Sequence, residues 1–227
     1  MKKIFTVIVV ILFMSSYAIA QDCGGFEMMK EGTFIEMKSY DGKQKLTGTN
    51  RQQIKEVSET NEGIVVKIES EQLDNKGKSS GIVNLEMRCK DGVFYMDMKN
   101  FFNQESMGEM KDMEVSVDAT DLAYPYNMQV GQELPEGIIN MSFVSGPIPM
   151  NMSVKIYNRK VEAKETITTP AGSFECYKVT YDIDTKSIIK MSNSAVQWFS
   201  TKVGAVRSET YSKGKLVGYT EITAFNQ

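Results

Sequence analysis

Beyond Gly32 the chain is written in period two. Apolar and polar residues alternate in short runs, turn-forming pairs separate the runs, and no stretch sustains the 3.6-residue spacing of a long helix. Residues 33–40 end at Asp41-Gly42, residues 64–68 follow Asn61-Glu62-Gly63, and Asp74-Asn75-Lys76-Gly77 leads into residues 82–87. Lys90-Asp91-Gly92 then turns the chain into residues 93–98, and strand–Asp-Gly–strand is a strong hairpin signal. Strand patterns return over 114–117 and, in a second block, over 138–144, 150–157, 161–168, 174–183, 195–200, 205–211 and 216–225. Gly146-Pro147, Pro170-Ala171-Gly172, Val203-Gly204 and Lys213-Gly214 punctuate that block. Residues 103–112 suit one or two helical turns with Met107 and Met110 on one side. Residues 124–135 read as loop, because Pro125 and Pro135 argue against a central strand. The pattern predicts an all-β, antiparallel architecture of about a dozen strands. So many strands in one open sheet must curl strongly or split into two layers. Residues 118–137 are the one seam between halves; with no Pro/Gly/Ser-rich linker and no internal repeat, residues 21–227 read as a single domain.

The first twenty residues follow a different logic. Lys2 and Lys3 precede an apolar run, residues 4–14, and Ala18-Ile19-Ala20 supplies a small-x-small exit. This is the pattern of a secretory signal cleaved after Ala20, with an apolar run too short to span a bilayer permanently. Its removal takes the formal charge from -3 to -5. The predicted location is the periplasm or the exterior, with no transmembrane anchor after cleavage. Gln21-Asp22 before Cys23 depart from the small and apolar residues that precede a lipid-modified cysteine, so lipidation is not expected.

Export brings an oxidising compartment, where three cysteines allow one disulfide and one leftover thiol. Three pairings are open. Cys23–Cys89 is favoured because it pins a fraying terminus to a strand end, leaving Cys176 to pack as a small apolar residue.

Composition narrows the chemistry. The chain has no histidine, which removes Ser-His-Asp and Cys-His catalysis and the HExxH zinc sites. The acidic balance argues against nucleic acid, whose binding needs clustered Lys and Arg. Gly77-Lys78-Ser79-Ser80-Gly81 matches G-x-S-x-G as a string, but it lies in a polar turn between strands and lacks a histidine base. Ser187-Ile188-Ile189-Lys190 and Ser212-Lys213-Gly214-Lys215 match S-x-x-K without the helix start and accompanying motifs that chemistry uses. Carboxylate pairs such as Asp182 with Asp184, or Asp118 with Asp121, fit solvated strand faces and turns. No catalytic residue, metal ligand or cofactor is assigned.

The sixteen methionines are the remaining oddity. Met96 and Met98 share a strand face with Phe94, Met150 and Met152 share another, and Met107, Met110 and Met113 recur every three residues. M-x-M and M-x-x-M spacings in an exported protein suit thioether coordination of Cu(I), although methionine serves more often as adaptable packing. A strongly curved sheet also leaves an apolar trough able to hold an acyl chain or a partner's hydrophobic segment. Phe94, Met96, Met98, Met141, Phe143, Met150, Met152 and Trp198 are the residues predicted to line it.

Several strings carry a resemblance. Tyr157-Asn158-Arg159-Lys160-Val161-Glu162, Glu165-Thr166, TTPAGSFECYKVTY, Trp198-Phe199 followed by KVGAVRSETY, the Gly131-Gln132-Glu133-Leu134-Pro135 loop and C-x-x-G-x-F at 89–94 resemble the bacterial family called domain of unknown function 3108, in its TapB-like branch. The resemblance implies an exported β domain of the Gram-negative envelope with no established catalytic residue. It also implies a fold similar to the half-barrels of periplasmic lipoprotein carriers. The reading is a non-enzymatic binding or accessory domain that holds a lipid or other apolar ligand in a concave sheet. The alternatives are methionine-based copper handling and a structural domain that pairs its sheet edge with an envelope protein.

Overall fold

A computed structural model describes residues 23–61, 63–101, 114–145 and 148–227. Thirteen antiparallel strands lie in one sheet. The first half supplies β1 (Phe34–Asp41), β2 (Leu46–Thr60), β3 (Gly63–Asp74), β4 (Ser79–Lys90), β5 (Val93–Met96), β6 (Glu114–Ala119) and β7 (Leu122–Pro125). The second half supplies β8 (Gly137–Ser145), β9 (Ile148–Thr169), β10 (Gly172–Lys186), β11 (Lys190–Ser200), β12 (Gly204–Ser212) and β13 (Lys215–Asn226). The order across the sheet is β6-β8-β9-β10-β11-β12-β13-β1-β2-β3-β4-β5-β7. Pairing of β1 with β13, from Phe34 opposite Asn226 to Asp41 opposite Gly218, joins the two halves of the chain.

The two edges of this sheet, β6 and β7, are consecutive in the chain with only Thr120 and Asp121 between them. A two-residue link spans only about 10 Å from Cα to Cα, so the edges must lie close together and the sheet must curl. Ile138 N donates to Thr120 Oγ1 at 2.8 Å, and Thr120 N donates to the Ile138 carbonyl at 2.9 Å. On the other side Arg88 reaches Asp121 at 2.6 Å, tying the link to β4. The curl also shows in the rings: Tyr124 on β7 stacks on Phe199 of β11 with centroids 4.5 Å apart, across eight positions of the sheet order. The sheet is nonetheless open, since β6 and β7 do not pair with each other.

Side chains on the inner face meet in the principal core, which joins Ile54, Val66, Ile68 and Leu85 to Ile139, Met141, Val161 and Phe199. A second cluster holds Phe174, Cys176, Trp198, Val203, Val206 and Ile222. Asp91 and Gly92 both take positive φ (52° and 71°), as the two-residue β4–β5 hairpin requires.

Four elements differ from the sequence expectation. β2 carries Asn50, Arg51, Gln52 and Gln53 in succession, so alternation is invisible there, yet it is one of the longest strands. Residues 122–125 form a strand despite Pro125, which is tolerated because β7 is an edge. The separate strands predicted at 150–157 and 161–168 are one continuous β9, in which Asn158 takes a left-handed conformation (φ 52°). The strand expected to reach Met98 ends at Met96, and Met98 opens a single helical turn, α1 (Met98–Phe101). The helical turns expected at 103–112 lie outside the described residues.

Candidate functional site: a cavity in the concave sheet

Period two determines which side chains of β1–β5 face inward, and the register stacks them in rows. Met37, Asn50 and Gln72 form one row; Ile35, Gln52, Ser70 and Val83 form the next. Ile54, Ile68 and Leu85 make the third, Val66, Met87 and Met96 the fourth. Together with Phe94, Gln197 and Phe199 they surround a cavity of about 480 Å³. That volume falls within the range of small-molecule sites.

One end of the cavity is polar and solvent-facing; the other is closed and mainly apolar. Gln72 is exposed while Asn50 and Gln52 are half-buried, and Asn50 Nδ2 donates to Ser70 Oγ (2.8 Å) and Gln72 Oε1 (3.3 Å). At the other end the N-terminal segment lies over the sheet and contributes Met28 and Met29 to the lining. The disulfide Cys23–Cys89 holds that segment, with Cα atoms 6.0 Å apart, and Phe26 packs on Phe94 at 5.6 Å. Gly204 lets the segment settle: a Cβ there would stand 3.1 Å from the Met28 sulfur.

Four buried side chains with polar groups lie near the closed end. Gln197 Oε1 accepts a 2.7 Å bond from the Tyr124 hydroxyl. Burial pushes the Tyr124 phenol above its ordinary range against the opposing charge of Arg159, so it stays a neutral donor. Arg159, only 2% exposed, donates to the Pro135 carbonyl (2.7 Å) and the Ala123 carbonyl (3.2 Å), and its guanidinium lies 4.8 Å from the centre of the Tyr124 ring. It thereby ties β7 to β9 across the curl. Thr33 is fully buried, faces the cavity, and its hydroxyl has no hydrogen-bond partner.

Of the predicted trough residues, Phe94 and Met96 line the cavity. Met98, Met141, Phe143 and Met152 belong to the same apolar core without lining it. Trp198 lies elsewhere: between the cavity-facing Gln197 and Phe199, it points to the opposite side of β11 into the second cluster, where Nε1 donates to Glu165 at 2.6 Å. Met150 sits on β9 opposite Phe143, its side chain outside the described residues, as are Met107, Met110 and Met113. The amides of β2 and β3, the hydroxyl of Thr33, and Met28, Met29, Met37 and Met87 were not foreseen. Alternation is the signal for Met37 and Met87, whereas the amides sit in segments too polar to suggest an inner face.

The carboxylates considered for chemistry have other occupations. Asp182 accepts from Asn158, Asp184 from Ser192 and Asp121 from Arg88, and none lines the cavity. Among the described residues no group of three His, Cys, Asp or Glu side chains converges. Ser187 and Lys190 flank the β10–β11 turn, and Ser212 and Lys215 the β12–β13 turn.

A sequence profile for the family described as DUF3108-like matches residues 30–222. The chain belongs to the DUF3108-like family. Two of the strings singled out in the sequence meet in the fold: Gly131 N donates to the Val161 carbonyl, Val161 N to the Gln132 carbonyl and Leu134 N to the Arg159 carbonyl, so the Gly131–Pro135 loop is held along β9. A crystal structure described as an exported protein with a YmcC-like fold, from Bacteroides fragilis, superposes with a TM-score of 0.73 at 24% identity, covering 89% of this chain and 99% of that one. One described as a lipoprotein, from Parabacteroides distasonis, gives 0.70 at 27% identity, covering 88% and 98%. This DUF3108-like protein thus shares the fold of both. No curated protein matches it.

Proposed function

We propose that this is an exported, non-enzymatic binding domain of the bacterial envelope, cleaved after Ala20, that holds a lipid-like ligand inside its curled sheet. The observation that carries the reading is the cavity, walled by Ile, Val, Leu, Phe and five methionines and bordered at one end by amides. Such a wall rewards apolar area, at about 25 cal/mol per Å² removed from water. Methionine suits it because a flexible, polarisable chain can follow ligands of different shape. The two relatives described as exported and as a lipoprotein agree with an envelope location, and no helix of the described residues is long and apolar enough to cross a membrane.

Native mass spectrometry of protein purified from its own envelope tests the reading. The expected result is a co-purifying molecule that organic extraction removes and Val83→Trp excludes, because Val83 is half-buried in the cavity wall. A wild-type spectrum at the bare polypeptide mass, with no displacement of bound N-phenylnaphthylamine by lipid extract, would sink it.

A further inference from the structure

The cavity is polar at both ends and neutral throughout. No Asp, Glu, Lys or Arg lines it. Beside the cavity row, Glu36, Lys38 and Arg51 sit on the alternate, outer positions of β1 and β2, where Arg51 pairs with Glu36. An ionised group placed inside would lose its hydration with no counter-charge to replace it. At the solvent-facing end stand Asn50, Gln52 and Gln72, whose amides both donate and accept. Deeper in the cavity stands Thr33, with Gln197, whose oxygen Tyr124 already occupies, further in. Ile54 N donates to the Thr33 carbonyl at 2.9 Å, which places Thr33 beside the Ile54–Ile68–Leu85 row. Its hydroxyl, fully buried and without a partner, is the kind of group that interiors normally satisfy. Thr33 lies four residues from Met37, whose row holds Asn50 and Gln72, and two from Ile35, whose row holds Gln52, so at about 3.3 Å per residue the amides stand about 7 to 13 Å from Thr33 along the strands.

Resting on the lipid-binding reading, we propose that the ligand is an uncharged amphiphile whose two hydrogen-bonding groups stand up to about 13 Å apart on a mainly apolar chain. One group, a hydroxyl, carbonyl or amide, bonds Thr33 Oγ1, and the other meets the Asn50, Gln52 and Gln72 amides. The segment between them passes Ile35 and Val83, and any apolar part beyond Thr33 lies along Ile54, Ile68, Leu85 and Met87.

Competition for bound N-phenylnaphthylamine by decane, decanol, decanediol and decanedioate, all of one chain length, tests this on the wild type, Thr33→Val and Thr33→Ser. Valine keeps the shape and removes the hydroxyl; serine keeps the hydroxyl. The expected order in the wild type is diol over alcohol over alkane, with each hydrogen-bonding group adding about 2- to 10-fold. Decanedioate should be the weakest. Thr33→Val should erase the advantage of diol over alcohol and leave decane unchanged, and Thr33→Ser should retain it. Thr33→Val should also melt no lower than wild type, because the group it removes is unpaired. Equal binding of all neutral chains, a diol preference surviving in Thr33→Val, or a tighter dianion would overturn the proposal while leaving a lipid site intact. Failure of every chain to displace the probe would remove the lipid site as well.

Discussion

Arg159 holds a permanent positive charge in a nearly sealed position, with two carbonyls and one aromatic face in place of a carboxylate. Such a group is costly to bury and costlier to half-remove, because truncation strands its acceptors. Arg159→Ala should lower stability by about 3 kcal/mol in urea unfolding. A loss below about 1 kcal/mol would mean that β7 is held to β9 by packing alone. Cys176 presents the opposite case. Burial, reinforced by the charges of Glu165 and Glu175, pushes its thiol from 9.0 up to about 12. It should resist thiol reagents in the native protein, and denatured, unreduced protein should show one free thiol. Three thiols would refute the Cys23–Cys89 bridge. Met87 and Met96 face each other across β4 and β5 on the cavity wall. Replacing both with leucine, which nearly conserves volume, should leave amphiphile binding within about threefold. Loss of tight Cu(I) binding in the same variant, measured against a competing chelator, would instead favour the copper alternative.

At the scale of elements, the controlling features are a terminal segment and a turn. The disulfide closes a loop of 66 residues, and in the chain-entropy picture Cys23→Ser with Cys89→Ser costs about 4 kcal/mol. The same change frees Met28 and Met29 from the closed end of the cavity, so ligand affinity should fall along with stability. A drop in stability with unchanged affinity would show that the segment seats itself without the bridge. Gly63 opens β3 with φ of +103°, and a Cβ there would be driven into the Cys89 carbonyl oxygen. Gly63→Ala should therefore destabilise by about 1–3 kcal/mol, by backbone strain and by loosening β3 from β4. β2 was missed because residues 50–53 face solvent on one side and the amide end of the cavity on the other, so neither face is apolar there and period two vanishes.

For the molecule as a whole, the absence of histidine shapes the dependence of stability on pH. Histidine is the side chain whose ordinary value lies near neutrality, and without it urea-derived stability should be flat between about pH 6 and 8. Above about pH 9 it should fall. Burial raises the native Cys176 thiol and the Tyr124 and Tyr181 phenols. The unfolded chain therefore releases these protons first, and stability present below the ordinary values is lost as pH rises through the raised ones. At the acid end, desolvation pushes Glu36 up, but hydrogen bonds from Arg51 and Thr223 and the charge of Lys38 outweigh it and hold the carboxyl below its ordinary 4.5. Its contribution is present above that value and lost as pH falls through the depressed one. A stability maximum above pH 9 would contradict the assignment of the buried phenols.

Alternation and turn chemistry are local properties, set within a few residues by the pleat and by the φ that Gly, Asn and Asp tolerate. They were enough to establish an all-β antiparallel chain, most of its strands, the Asp91-Gly92 hairpin and an inner face containing Phe94 and Met96. The cysteine positions likewise sufficed to favour Cys23–Cys89. What closes the curl is not local. It depends on edges that meet through Thr120 and Asp121, on Arg159 reaching from β9 to the backbone of β7, and on the stacking of Tyr124 against Phe199 across eight positions of the sheet. Trp198 was misplaced because period two separates the faces of a strand without saying which face a curling sheet encloses. The amide row and the unpartnered Thr33 hydroxyl, which distinguish this cavity from a filled core, emerge only when the fold brings eight strands and the N-terminal segment around one space. Sequence determines the periodicity of each strand; tertiary structure decides which faces meet, because that choice rests on contacts among residues far apart in the chain.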